Sequence, residues 1–239
     1  MVVTIAHRGA SKFAPENTIP AFQKAIEMGL DYVEIDVRST SDGHLVLSHD
    51  SSVDRMTDGS GKISDMTFAQ IRDLDAGASF DGGFSEVKIP TLAETLEVCR
   101  GNIGIYLDLK NAPPRSVVEE LRRYEMIEDT AVYSDVEVLS ELKSLQPDLR
   151  VMPGPGGWLS VPGVVGAIVR GLPAEVVDSN IVDWSRRAVE EVHAAGAQVW
   201  VDTLGLMDNE DGMRRALEIG VDGIDTDHPD VLLEVLRDI

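Results

Sequence analysis

Two acidic residues alternate with apolar ones between Tyr32 and Val37, where the sequence reads Tyr-Val-Glu-Ile-Asp-Val. Successive side chains of a β-strand point to opposite faces, so we expect Glu34 and Asp36 to share one face. Two carboxylates this close together in a half-buried site repel one another and need a compensating positive charge. Carboxylate oxygens are typical ligands of magnesium and calcium, and manganese also accepts them. The pattern therefore predicts a divalent-cation site, with Arg or Lys counter-ions as the alternative.

Histidines stand at the ends of two other predicted strands. His7 and Arg8 follow the apolar run Val2–Ala6, and His49 follows the short run Leu45–Ser48. Two histidines near one site can place a general acid and a general base on opposite sides of a reacting group. For His7 taken alone, a simple hydrogen bond at the end of a strand is the alternative.

A further strand ends in Asp108-Leu109-Lys110, so Asp108 and Lys110 share a face. Asp108 could complete the carboxylate set of a cation, and Lys110 could meet a substrate anion. A structural Asp–Lys ion pair is the alternative. Trp200, at the end of a later strand, could form a wall of a substrate pocket or pack inside the fold.

The elements that must position these residues are eight short apolar runs that alternate with amphipathic stretches. The predicted strands are Val2–Ala6, Tyr32–Val37, Ile103–Leu109, Thr130–Tyr133, Leu149–Met152, Glu175–Asp178, Gln198–Val201 and Val221–Ile224. The predicted helices are Thr18–Met28, Arg115–Tyr124, Val136–Leu145, Val161–Arg170, Arg186–Ala195, Asn209–Ile219 and Pro229–Arg237. This alternation is typical of an α/β protein with a TIM (β/α)8 barrel, whose polar residues gather at the carboxyl ends of the strands.

One long segment interrupts this alternation after the second predicted strand. Residues 41–90 contain the short run Leu45–Ser48 and several Gly-rich turns, and only then does the helical pattern Leu92–Val98 follow. An insertion at the carboxyl end of a barrel strand overhangs the catalytic face. We therefore predict a single domain over residues 1–239, with residues 41–90 as a lid or substrate-shaping insertion.

The chain carries 42 acidic residues against 21 basic ones, for a formal net charge of −21. Nucleic acids and anionic membranes both attract basic surfaces, so this composition excludes them as partners. No stretch approaches the roughly 18 apolar residues of a membrane-spanning helix, and a single cysteine, Cys99, excludes a disulfide framework. Met1 runs directly into a predicted strand without a basic leader, so we expect a cytoplasmic protein with no stable membrane insertion.

Several motifs in this order resemble the glycerophosphodiester phosphodiesterase family. They are His7-Arg8-Gly9, Pro15–Thr18, Glu34–Val37, His49-Asp50, Ile89–Leu92, Lys110, Trp200, Gly220–Ile224 and Thr226-Asp227. The resemblance implies a TIM barrel with this family's insertion after the second strand. It also implies hydrolysis of a small-molecule glycerophosphodiester to glycerol phosphate and an alcohol, with a divalent cation as cofactor.

The resemblance further implies roles for single residues. These are acid–base catalysis by His7 and His49, metal binding by Glu34, Asp36 and Asp108, and substrate binding by Arg8, Glu16, Lys110 and Trp200. The chain departs from the family pattern in three places, since Asp108 replaces a Glu, Val201-Asp202-Thr203 replaces Thr-Val-Asn, and His228 stands where Arg is common. The shorter carboxylate at Asp108 bears on the choice of metal.

Two alternatives to hydrolysis stay open at this point. The spacing of Asp108 and Lys110 is similar to that of sphingomyelinase D-type enzymes, which transfer the phosphoryl group internally and give a cyclic phosphate. A catalytically silent barrel that binds phosphodiesters or cations is the second alternative. A binding module has no need for two histidines, which favours an enzyme.

Overall fold

The computed structural model describes residues 2–81 and 83–238. Its strands are β1 Val3–Ala6, β2 Tyr32–Ser39, β3 Leu45–Leu47, β4 Gly104–Asn111, β5 Thr130–Ser134, β6 Arg150–Pro153, β7 Val176–Asn180, β8 Gln198–Asp202 and β9 Gly223–Thr226. Its helices are α1 Ile19–Met28, α2 Phe68–Asp73, α3 Leu92–Cys99, α4 Pro114–Arg123, α5 Val136–Leu145, α6 Val164–Gly171, α7 Arg186–Ala194, α8 Glu210–Ile219 and α9 Pro229–Arg237. Short 3-10 turns occupy Ile63–Asp65, Gly156–Ser160, Ile181–Asp183 and Gly205–Met207.

Eight of these strands are parallel and follow one another in the order β6-β5-β4-β2-β1-β9-β8-β7. The first and last strands of the chain, β1 and β9, pair in parallel, and β6 packs against β7 to close the barrel. The predicted TIM barrel is confirmed, and each predicted strand is present within about two residues of its expected bounds. Within the described residues, no helix combines the length and the apolar character that crossing a membrane requires.

The alternation of side chains on β2 decides which residues the barrel encloses. Val33, Ile35 and Val37 are fully buried between the sheet and the surrounding helices. A separate apolar layer, which includes Tyr106 and Trp200, fills the barrel interior. The two carboxylates of β2 therefore face the interior above this layer, because their apolar neighbours occupy the outward face.

Residues 41–90 fold around a small apolar core of their own. Thr67 and Gln70 form a capping box at the start of α2, which is the one sequence signal for a helix of only six residues. Arg72 of α2 forms an ion pair with Glu94 of α3 and so ties this segment to the barrel. The core of the segment consists of Val46, Val53, Ile63, Ile71, Ala76 and Ile89.

A buried acidic group lies in the barrel interior on β7. The Tyr106 hydroxyl donates a 2.9 Å hydrogen bond to Asp178 Oδ2, and Asp178 Oδ1 has no partner in the described structure. Burial, and then repulsion from Asp202, raise the pKa of Asp178 well above its ordinary value. The folded protein therefore holds a proton on Asp178 at pH values where the unfolded chain has released it.

We predict that Asp178→Asn stabilises the protein at pH 8. A raised pKa makes the free energy of unfolding fall as pH rises from about 4, the ordinary Asp value, to the folded value. The side-chain amide of the variant does not ionise, so this pH-dependent loss of stability is absent. We expect the free energy of unfolding to rise by on the order of 1 kcal/mol at pH 8 and to change little near pH 4. Urea unfolding at pH 8 and pH 4 measures the change in the free energy of unfolding, and Asp148→Asn at an exposed position is the control. An equal effect at both pH values contradicts the prediction.

Candidate active site

Three carboxylates meet at the carboxyl end of the barrel. Glu34 and Asp36 extend from β2, and Asp108 extends from β4, which pairs with β2 so that Asp36 lies directly beside Asp108. One oxygen from each of the three lies within 4.8 Å of the other two. Glu34 and Asp36 are almost fully buried. Oxygen ligands at this spacing match the preference of magnesium, calcium and manganese.

The electrostatics of the cluster also fit a divalent cation. Burial, followed by repulsion from Asp36, raises the pKa of Glu34 well above its ordinary value. Burial raises the pKa of Asp108 as well, although Lys110 opposes the shift. Burial would lower the pKa of Lys110, but attraction to Asp108 and Asp36 outweighs it and the pKa is raised. Lys110 therefore does not offset the raised pKa values of Glu34 and Asp108, and a bound cation would favour their ionised forms.

Two backbone turns orient the carboxylates of β2. The Arg8 amide donates a 2.8 Å hydrogen bond to Glu34 Oε2. The Asn17 side chain donates to Asp36 Oδ2 at 2.8 Å and accepts from the Asp36 amide at 3.1 Å. Arg8 and Asn17 have φ angles of 56° and 54°, a region that residues with a Cβ seldom occupy. Strained backbone of this kind persists only where surrounding contacts hold it in place. Here the hydrogen bonds from Arg8 and Asn17 to Glu34 and Asp36 are such contacts.

Two cationic side chains border the cluster. The Lys110 ammonium lies 3.2 Å from Asp36 Oδ1. Arg8 donates to Glu16 Oε1 at 3.0 Å, and its Nε lies 3.6 Å from Asp36 Oδ2. This Nε is buried and has no hydrogen-bond partner in the described residues. An oxyanion bound beside the cluster would find positive charge on both sides and a free donor at Arg8.

His7 is oriented by a carboxylate from the last strand of the barrel. His7 Nδ1 lies 2.7 Å from Asp227 Oδ1, and His7 Nε2 lies 4.0 Å from Glu34 Oε2. Burial raises the pKa of Asp227, but hydrogen bonding to His7 outweighs it and the pKa is lowered. Because Asp227 is then a carboxylate, Nδ1 carries the hydrogen, and Nε2 is directed toward the carboxylate cluster.

His49 belongs to a second charged network that includes the insertion. His49 Nδ1 lies 2.8 Å from Asp50 Oδ1, and Arg55 donates to Asp50 Oδ2 at 2.6 Å. The hydrogen bond from Arg55 lowers the pKa of Asp50 to about 2. Arg55 also donates two 2.9 Å bonds to Glu16, the partner of Arg8. A single arginine therefore connects the environments of His49 and Arg8.

His7, Arg8, Glu16 and Arg55 face a cleft of about 780 Å³. The barrel contributes His7, Arg8, Asp227, Leu204 and His228 to its lining, and the insertion contributes Arg55, Met56, Ser79 and Phe80. His228, the residue that precedes α9, also lines the cleft. This volume falls within the range of small-molecule binding sites.

The structure brings most of the predicted site residues together. Those that converge around the cluster are His7, Arg8, Glu16, Glu34, Asp36, Asp108 and Lys110. His49 is linked to them through Asp50, Arg55 and Glu16. Trp200 is placed elsewhere, because its ring is fully buried and packs against Tyr32 and Tyr106 in the barrel interior. It does not line the cleft in the described structure, which corrects the expectation of a pocket wall.

Three residues with clear positions in the site were not predicted from the sequence as site residues. They are Asn17, which holds Asp36, Asp227, which holds His7, and Arg55, which joins Glu16 to Asp50. Asn17 and Asp227 fall within motifs that the sequence does display, so their position in those motifs was the available signal. Arg55 has no such signal, because its partners are set by the fold of the insertion.

Comparison with known proteins gives one consistent result. The sequence model of the glycerophosphoryl diester phosphodiesterase family matches residues 7–231. A glycerophosphodiester phosphodiesterase from Caldanaerobacter subterraneus subsp. tengcongensis is 35% identical over 248 aligned positions, which cover 98% of each chain.

Solved structures agree with the sequence comparison. A glycerophosphodiester phosphodiesterase from Agrobacterium tumefaciens superimposes with a TM-score of 0.87 and 33% identity, over 98% of this chain and all of that one. A phosphodiesterase from Oleispira antarctica, in complex with its product sn-glycerol-3-phosphate, gives a TM-score of 0.89 and 27% identity, over 98% of this chain and 96% of that one.

We predict that the carboxylate cluster binds a divalent cation with release of protons. Because the pKa values of Glu34 and Asp108 are raised, ion binding must displace protons from them, and affinity should increase as pH rises. Calorimetric titration with magnesium, calcium and manganese in buffers of different ionisation enthalpy measures both effects. Glu34→Gln should weaken binding at least about tenfold, while the exposed Glu27→Gln should not. Equal ion affinity of Glu34→Gln and Glu27→Gln would show that the carboxylate cluster is not the metal site.

Proposed function

The chain belongs to the glycerophosphoryl diester phosphodiesterase family, and from this premise we propose a metal-dependent, two-histidine mechanism for its phosphodiester hydrolysis. The enzyme class is that of a phosphoric diester hydrolase. The proposed reaction converts a small-molecule glycerophosphodiester and water to glycerol phosphate and an alcohol. One observation carries the proposal, namely that His7 Nε2 lies 4.0 Å from Glu34 within a cluster bordered by Arg8 and Lys110.

Hydrolysis of a phosphodiester requires positive charge around the phosphorus, because its nonbridging oxygens repel an incoming nucleophile. A divalent cation held by Glu34, Asp36 and Asp108 would supply Lewis-acid stabilisation of those oxygens. Lys110 and the free Nε of Arg8 supply further positive charge and a hydrogen-bond donor at the edge of the same cluster. Glu16 orients the Arg8 guanidinium.

The two histidines are suited to proton transfer because each is oriented by its own carboxylate. Asp227 fixes the hydrogen of His7 on Nδ1, so Nε2 can accept or donate a proton at the cluster. Asp50 holds His49 in a corresponding way, and Arg55 keeps Asp50 ionised. One histidine takes the proton of the attacking water and the other protonates the departing alkoxide.

The product and the shape of the cleft define the proposed substrate class. The similar phosphodiesterase from Oleispira antarctica is in complex with the product sn-glycerol-3-phosphate, and we extend this product to the present chain. The insertion contributes Arg55, Met56, Ser79 and Phe80 to the cleft, which supports the prediction that residues 41–90 shape the substrate site. A cytoplasmic location remains a prediction from the sequence.

We predict that His7→Ala and His49→Ala each lower kcat by about 10²- to 10⁴-fold, the usual contribution of a general acid or base. Turnover of glycerophosphocholine, glycerophosphoglycerol and glycerophosphoinositol can be followed by phosphorus NMR in magnesium, calcium or manganese. His44→Ala is the matched control, because His44 lies in the turn between β2 and β3 outside the cleft. Circular dichroism checks that each variant is folded. Near-normal activity of His7→Ala or His49→Ala would exclude the substituted histidine as a general acid or base.

Chelation tests the cofactor, and the NMR spectrum tests the product. We expect EDTA to abolish turnover and an added divalent ion to restore it, because three carboxylates without a cation would repel the substrate anion. The spectrum should show a linear monoester from the first turnover. Full activity in the chelator would refute metal dependence, and an accumulating cyclic phosphate would replace hydrolysis with internal transfer.

Asp227→Asn tests the orientation of His7. The amide can leave the wrong ring nitrogen protonated, so we expect kcat to fall at least about tenfold with KM unchanged. Ser11→Ala is the control, because it removes only the longer 3.3 Å hydrogen bond to Asp227. A rise in KM without a fall in kcat would mean that Asp227 binds substrate instead of positioning His7.

A further inference from the structure

An acidic residue outside the cleft, Asp208, contacts the backbone that holds His7 in place. It stands in the loop after β8, between the 3-10 turn Gly205–Met207 and the start of α8. Asp208 Oδ2 accepts a 3.0 Å hydrogen bond from the backbone amide of Asp227, and Asp227 is the residue whose carboxylate bonds to the His7 ring. Asp208 does not line the cleft in the described structure, so its connection to the reaction passes through its neighbours.

The second oxygen of Asp208 holds the residue before Asp227. Asp208 Oδ1 accepts a hydrogen bond from the hydroxyl of Thr226, the last residue of β9. The Thr226 carbonyl in turn accepts a 3.1 Å hydrogen bond from the His7 amide. Asp208 therefore contacts both residues that hold His7, since Thr226 bonds to its backbone and Asp227 bonds to its ring.

Asp208 is itself fixed from the side of β8. Its Oδ1 also accepts a 2.8 Å hydrogen bond from the hydroxyl of Thr203. Thr203 and Thr226 are fully buried, and a buried hydroxyl that loses its acceptor destabilises the fold. The loop also packs closely against α8, because a Cβ at Gly212 would overlap the carbonyl oxygen of Met207. These contacts hold the Asp208 carboxylate at the point where it meets β9.

The contacts of Asp208 require a side chain with two acceptor oxygens. Three donors converge on it, namely two threonine hydroxyls and one backbone amide. An ionised carboxylate carries acceptors only and receives all three, whereas an amide side chain has a single acceptor oxygen. The sequence shows only an acid in a loop, because its partners on β9 and beyond lie 18 and 19 positions away.

We propose that Asp208 is a positioning residue for His7 and that it acts through Asp227. The inference rests on the proposed function, in which His7 transfers a proton. The Asp227 side chain is 47% exposed, so packing alone does not fix it, and the bond from its backbone to Asp208 limits where its carboxylate can lie. The position of the hydrogen on the His7 ring depends on that carboxylate.

A double-mutant cycle tests whether Asp208 acts through Asp227. Because substrate contacts are unchanged, we expect Asp208→Ala to lower kcat for glycerophosphocholine at least about tenfold and to leave KM within about twofold. The double variant Asp208→Ala/Asp227→Asn should then have the kcat of Asp227→Asn within about twofold, because both changes remove the same function. Losses that multiply in the double variant would show independent roles and overturn the proposal.

Nitrogen NMR of the histidine rings gives a readout that does not depend on turnover. In protein that carries isotopically labelled histidine, the ring nitrogens of a neutral imidazole show which of them bears the hydrogen. The His7 signals are those that His7→Ala lacks. We expect the hydrogen on Nδ1 in wild type and a mixture of the two forms in Asp208→Ala. The His49 signals should stay unchanged, because Asp50 holds that ring.

Asn209→Ala is the matched control. Asn209 is the next residue in the loop and caps α8 by accepting a 3.1 Å hydrogen bond from the Gly212 amide. Among the described residues it forms no hydrogen bond with Thr226 or Asp227. Its removal loosens the same loop without releasing Asp227, so kcat and the His7 signals should remain those of wild type.

Circular dichroism checks the fold of each variant. If Asp208→Ala does not fold, Asp208→Asn takes its place, because it keeps the size of the side chain but has one acceptor oxygen for three donors. The same changes in kcat and in the His7 signals are then expected, in smaller degree. Wild-type behaviour of the folded Asp208 variant in both measurements would overturn the proposal.

The outcomes separate this inference from the proposed function. An unchanged His7 spectrum overturns the inference even where kcat falls, because the effect is then not on His7, and a changed spectrum with normal kcat also overturns it. Equal changes in Asn209→Ala would assign the effect to the loop as a whole. If wild type hydrolyses no glycerophosphodiester in magnesium, calcium or manganese, the proposed function fails, and the His7 spectra still decide whether Asp208 positions the ring.

Discussion

Repulsion among three closely spaced carboxylates, two of them buried, is the constraint on which the rest of the site depends. Glu34, Asp36 and Asp108 are brought together by strand pairing, and Glu34 and Asp36 are buried from water. The chain answers with hydrogen bonds to the carboxylate oxygens and with Lys110 beside them. These contacts orient the carboxylates without cancelling their charge. The three carboxylates therefore favour binding of a cation, and Arg8 and Lys110 beside them favour binding of an anion.

The same arrangement explains why the insertion belongs to the site. Arg55 bonds to Glu16 and Asp50, and these carboxylates in turn contact Arg8 and His49. Arg8, which we propose binds phosphate, and His49, which we propose transfers protons, are therefore both linked to Arg55, which lies outside the barrel itself. Arg38 of β2 adds a second link, because it donates to the backbone carbonyl of His49. Packing of the inserted segment therefore also fixes the position of His49.

The barrel and most of the site could be predicted from the sequence because both depend on local patterns. These are the alternation of strands with helices and the alternation of side chains along each strand. Glu34 and Asp36 could be assigned to one face from the period of a strand alone. The pairing of Asp36 with Asp108 needed the register between strands, and the contact of Asp227 with His7 spans 220 residues. For Trp200, the sequence predicted the strand but not how deeply the side chain lies in the barrel. Depth depends on how all eight strands stagger together.

The barrel has a seam, because in the described part of the chain no hydrogen-bonded ladder joins β6 to β7. The strands with the reactive groups, β1, β2, β4 and β9, lie on the far side and are laddered to both neighbours. Local opening at the seam costs fewer backbone hydrogen bonds than opening elsewhere, so amide exchange should be fastest along β6 and β7. The turns with Trp158 and Val182 stand on either side of this seam. The strands that carry the carboxylate cluster and His7 thus lie on the side of the barrel where every strand is hydrogen-bonded to both neighbours.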